Sequence, residues 1–163
     1  MKEKDNRVLL LEQYCNMDSD RKIILDKTPQ SLTHLWEWFE SHIEWEDKKE
    51  EEIQKDLELR PQWMHEYILQ ATDKISIRTM ALASDIATYY GETLIKNNPQ
   101  IKWGYKLKPD KLDGVKKPIL LGYKGNLSCD PRTIIDVLIR KSSREKCGSR
   151  LYDAYIKELK LIN

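Results

Sequence analysis

Glycine and proline are scarce in this sequence, six of each in 163 residues. That scarcity excludes fibrous and linker-like chains and favours helix. Cysteine is scarce as well. Cys15, Cys129 and Cys147 are odd in number and widely spaced, which predicts free thiols in a reducing cytoplasm, not a disulfide framework. Long apolar runs are missing. The longest, Val8 to Leu11 and Ile119 to Leu121, fall far short of the roughly 20 residues that cross a bilayer, so no membrane partner is expected. The N-terminal MKEKDNR carries both charge signs and no small-residue cleavage site, so no signal peptide is expected. Catalytic signatures are also missing: no G-x-S-x-G, no phosphate loop and no G-x-G-x-x-G occurs. His34 and His42 stand eight apart, not the four usual for zinc on a helix. No cofactor and no metal are expected.

What the chain has is charge and large aromatics. Charged residues make up 34% and hydrophobic residues 40%, with five Trp and eight Tyr to supply buried area. The charge is uneven. Residues 1–60 hold 10 Lys+Arg against 16 Asp+Glu, whereas residues 61–163 hold 18 against 11. Either the two halves face each other within one fold, or an exposed polarity steers a charged partner.

Periodicity predicts a helix over 6–17, with Leu10, Tyr14 and Met17 at helical spacing, then a short extended piece at Ile23 to Leu25. A second helix is predicted over 31–45, opened by Ser31 after Pro29. Leu32, Leu35, Trp36, Phe39 and Ile43 form its apolar stripe. His34, Trp38, His42 and Trp45 follow helical spacing on nearly the opposite face, and Glu37, Glu40 and Glu44 line one flank. Residues 46–60 read as a charged helix or a mobile connection, ended by Pro61, and 61–70 as a short helix. The strongest helix is predicted over 73–97. In it Ala83, Ala87 and Gly91 form a smooth strip that lets another backbone approach. A glycine inside a helix costs about 1 kcal/mol against alanine, so Gly91 is expected to pack closely against the strand carrying Trp103, with Glu92 capping or pairing beside it. Strands are predicted over 101–107 and 118–123. Asp130 is the expected N-cap of a helix with Pro131 at its first position, and 149–162 is the last amphipathic helix. The expected fold is a single domain, 1–163, of class α+β: mostly helical, with a small antiparallel sheet packed on a long central helix.

The run of Ser31-Leu32 opening an aromatic helix, Ala-x3-Ala-x3-Gly91-Glu92, then Trp103 on a strand resembles small uncharacterised bacterial cytosolic α+β domain families. In these a helix ending in a Gly-Glu pair runs into a Trp-bearing strand and then a second strand. Some proteins of this look are similar to immunity proteins, which neutralise a toxin by binding it. The resemblance spans roughly residues 28–140. It implies a cytoplasmic binding protein and carries no site residue of its own.

Function is expected to follow from the second face of the 31–45 helix. Aromatic side chains beside an acidic flank suit protein interfaces, so Glu37, Trp38, Glu40, His42, Glu44 and Trp45 are the candidate partner-binding residues. The partner is another protein, a basic one such as a nuclease toxin, or a second copy of the chain. Two other readings compete. One is an enzyme whose site assembles from distant residues, with Glu92, His65 or Cys129 as candidates. The other is a nucleic-acid binder using the seven lysines of 102–124, Lys106 and Lys108 among them, although the aromatics there alternate with the charges and arginine is missing.

Overall fold

The computed structural model describes residues 2–17, 19–105 and 117–162. In chain order these form α1 (Lys2–Met17), α2 (Ser31–Ser41), β1 (Trp45–Asp47), α3 (Glu50–Leu59), a 3-10 turn (Gln62–Met64) leading into α4 (His65–Gln70), and β2 (Asp73–Ile75). Then come α5 (Ile77–Asn97), β3 (Lys102–Tyr105), β4 (Pro118–Leu121), α6 (Pro131–Ser142) and α7 (Arg150–Ile162). The class is α+β and mostly helical, with two small antiparallel sheets, β1–β2 and β3–β4. The chain divides into two compact units. The first combines 1–41 with 82–163, and the second is 42–81.

The first unit holds nearly all of the buried apolar surface. Trp36, Phe39, Tyr89, Tyr90, Leu94 and Ile135 are fully buried in it. Each such side chain contributes about 1.5–3 kcal/mol by leaving water. α1 forms as expected, but its inward stripe is Val8, Leu11 and Cys15, while Leu10 and Met17 are exposed. The strip on α5 does what its spacing predicts. A Cβ on Gly91 would fall 2.4 Å from Trp103 Cζ2, so only glycine lets the indole of β3 lie against the helix. Glu92, one residue on, accepts the indole N–H at 2.8 Å and meets Lys27 at 3.6 Å. The β3–β4 sheet pairs Trp103 with Leu120. Gly122 follows it at a φ of +105, where a Cβ would meet the Gln100 carbonyl oxygen at 2.1 Å. The α6 start is as predicted: the Asp130 side chain accepts the Arg132 N–H with Pro131 at the first helical position.

The turn before α2 is strapped to α5. Tyr89 Oη accepts the Lys27 N–H at 2.8 Å and lies 2.5 Å from Ser31 Oγ. The extended piece expected at Ile23 to Leu25 belongs to no sheet. It is held instead by side chains of α1: Asn16 Oδ1 accepts the Ile23 N–H and Glu12 Oε2 the Leu25 N–H.

The second unit corrects two helix boundaries. α2 ends at Ser41, where the Ser41 hydroxyl donates to the Trp38 carbonyl, and not at residue 45. Trp45 to Asp47 instead pair with Ile75 to Asp73, so the long helix starts at Ile77 and not at 73. The Glu44 backbone N–H donates to Thr79 Oγ1, and the Ser76 N–H to the Glu44 carbonyl. These long-range bonds outweigh local helical spacing. Residues 50–59 are helical, with the Glu52 carboxylate accepting the Lys49 N–H and both ammonium contacts of Lys74. Those bonds hold the Glu52 carboxyl below the usual carboxylate range, the Lys74 hydrogen bond contributing most. Ile68 is the one buried apolar side chain of this unit.

Candidate functional site

The six residues singled out in the sequence do not form one open face. Trp38 is buried, and its ring meets Tyr14 of α1 edge-on at 5.9 Å. Glu40 is buried as well. Its carboxylate accepts the Ser142 hydroxyl and, at 2.9 and 3.0 Å, the Cys147 N–H, and Arg150 Nε stands 3.7 Å away. Glu40 therefore ties α2 to the turn between α6 and α7, and neither it nor Trp38 is available to a partner. Glu37 is exposed and lies over Gly148, where a Cβ would fall 2.3 Å from Glu37 Cγ. The other three residues lie in the second unit, not on α2. His42 is half-buried, Glu44 is ion-paired with Arg78 at 2.6 Å, and Trp45 is half-buried at the start of β1. The expected single helix with two aromatic sides does not form, because the chain leaves the helix at Ser41.

The exposed aromatics are elsewhere. Pro61 ends the extended link after α3 and opens the 3-10 turn, which runs straight into α4. Trp63 and Tyr67 stand four residues apart along that helical stretch, so they share a side. They are 73% and 68% exposed, and Leu59 just upstream is 70% exposed. Ile68 is the side chain that turns inward. In the same unit Glu50, Glu51, Glu58 and Glu66 are exposed. Residues 42–81 hold ten Asp+Glu against six Lys+Arg, a net of −4. Large rings left in water cost solubility, and a monomer seldom exposes several together without use. Spacing in the sequence already puts Trp63 and Tyr67 on one face of the short 61–70 helix, but nothing local says whether that face is covered. The signal that could have singled them out is their i, i+4 pairing next to the charged 46–60 segment, which offers only Ile53, Leu57 and Leu59 as apolar side chains to cover them.

The candidates for catalysis are occupied by structure. Glu92 holds the Trp103 indole. His65 Nε2 lies 3.0 Å from the Arg60 carbonyl, tying the turn before α4. Cys129 is buried beside Tyr123 and near Glu158, and burial, with the Glu158 charge behind it, pushes its thiol up to about 12. The same burial raises Tyr90 and Tyr123 above the ordinary tyrosine range. A thiol so held stays protonated at neutral pH and is a poor nucleophile. Among the described residues no group of three His, Cys, Asp or Glu could hold a metal ion, and no helix is long and apolar enough to cross a membrane. Of the lysines between 102 and 124, Lys102, Lys117 and Lys124 are exposed, while Lys106, Lys108, Lys111 and Lys116 lie outside the described residues. A pocket of about 300 Å³ opens on the first unit, with Arg7, Ser84, Ala87, Thr88 and Trp103 on one part of its wall and Pro118, Pro131 and Arg132 on the rest. Compared with known proteins, the chain matches no family model, no curated protein and no solved structure.

Proposed function

We propose that the chain is a non-enzymatic protein-binding domain that docks a basic protein through Leu59, Trp63 and Tyr67. The observation that carries this reading is the pair of large rings, both more than two-thirds exposed, set in a unit of net charge −4. Tryptophan and tyrosine are the side chains that most often anchor interfaces, because they bury much area at little entropic cost. The excess of carboxylates in this unit speeds encounter with a positive surface. The same charge disfavours a second copy of the chain as occupant, since two such faces would bring like charges together. Neutralising a basic toxin is one role this chemistry suits, in line with the immunity-protein look of the sequence.

The test compares the full chain with a Trp63→Ser/Tyr67→Ser variant as bait in extracts of the source cell. Both side chains are exposed, so the variant should fold with an unchanged Tm. The expected result is a basic protein retained in stoichiometric amount by the parent, captured more slowly at high salt and lost from the variant. Equal retention by both would remove the proposal, and so would a self-associating parent with no second protein.

A further inference from the structure

The pocket on the first unit combines features the docking face does not use. Its lining includes Trp103, Pro118, Pro131 and Thr88 together with two arginines, Arg7 and Arg132. At about 300 Å³ it sits at the low end of the ~300–1,000 Å³ range of small-molecule sites. Each arginine is paired with a carboxylate. Arg7 places Nε and Nη2 on Asp85 Oδ1, and Arg132 places Nε and Nη2 on the two oxygens of Asp130 at 3.2 and 3.3 Å. Each guanidinium is thereby fixed along one edge, and its Nη1 amine keeps no partner among the described residues. A carboxylate behind an arginine orients it at no entropic cost to the ligand. The Arg132 backbone N–H is already taken by Asp130, so the donors here are side chains and not the helix terminus.

We propose that this pocket binds a small organic monoanion with a flat, apolar body, of the chemical class of an aromatic carboxylate. The indole and the proline rings cover the flat part, and the Nη1 amines take the carboxylate. Asp85 and Asp130 cancel the two positive charges, so recognition rests on fixed donors and not on a strong field. A multiply charged phosphate would meet the two carboxylates as repulsion. The site lies in a different unit from the docking face and does not depend on it.

The test is a nuclear magnetic resonance titration of the full chain with naphthalene-2-carboxylate, with neutral naphthalene-2-methanol and inorganic phosphate as comparisons. The expected result is a saturable shift of the Trp103 indole N–H and the Thr88 amide, with Kd of ~1 mM or tighter. The neutral alcohol and Arg132→Gln should each weaken binding about tenfold, and Thr88→Met, which fills the pocket from its wall, should abolish it. Arg132 is exposed, so its variant keeps the fold. The proposal is overturned by no saturable shift at Trp103, by equal binding of the alcohol, by an unaffected Arg132→Gln, or by phosphate binding as tightly as the naphthoate. Shifts confined to Trp63 and Tyr67 would overturn it too.

Discussion

Gly91 faces two opposed demands. Alanine there would gain about 1 kcal/mol of helix propensity, but its Cβ would fall 2.4 Å from a ring carbon of Trp103. Overpacking of that kind costs about 1–3 kcal/mol, and the obstacle is a rigid indole that itself bonds to Glu92. We expect Gly91→Ala to destabilise by about 1 kcal/mol in urea unfolding, and its effect to be strongly non-additive with Trp103→Leu. Glu40 makes a larger case. Removing a buried carboxylate that accepts a backbone N–H and a hydroxyl strands its partners and leaves Arg150 half of its pairing. Glu40→Ala is expected to cost about 3 kcal/mol, read as a lower urea midpoint with unchanged slope. The thiols set a pH limit. Burial raises Cys15 and Cys129 from an ordinary value near 9 to about 12. A group whose folded pKa is raised keeps its stabilisation below the unfolded value and loses it as pH climbs through the folded one. Stability should therefore fall between about pH 9 and 12, less steeply in Cys129→Ala. At pH 8 a thiol reagent should modify Cys147, which is half-buried, well before the other two.

At the scale of elements, what was legible in the sequence depended on whether the information was local. The α6 start was legible because Asp130-Pro131 is a capping signal that acts over a few residues. The contact of Gly91 with Trp103 was legible because small residues every fourth position point to one close neighbour. The β1–β2 ribbon was not. Its register joins Trp45 to Ile75, thirty residues on, and its bonds to Thr79 end a helix that spacing alone would have carried to residue 45. The candidate face was misplaced for the same reason. Trp38 looked outward on a helical wheel, but the ring of Tyr14 from α1 covers it, and periodicity within α2 holds no trace of that. The ribbon and α3–α4 have a thin interior, with Ile68 alone buried among their apolar side chains. Amide exchange should be faster across 42–76 than in the buried part of α5 near Tyr89 and Tyr90, because few buried contacts protect it. Equal protection in the two regions would contradict that ordering.

For the molecule as a whole, charge and burial divide between the two compact units. The first holds the apolar core and a small pocket with two anchored arginines. The second holds the exposed rings and a net of −4. A unit that buries little and shows Trp63 and Tyr67 to solvent gains most by burying them against another surface. Salt dependence separates the contributions. Raising ionic strength should slow association through the carboxylates and leave the contribution of the rings largely intact. The most direct measurement is calorimetric titration of the captured partner into the parent chain and into Trp63→Ser/Tyr67→Ser at matched Tm. A loss of affinity of about thirtyfold or more is expected, which corresponds to at least ~2 kcal/mol for an anchor residue. Affinities within about twofold of each other would contradict the assignment of the docking face.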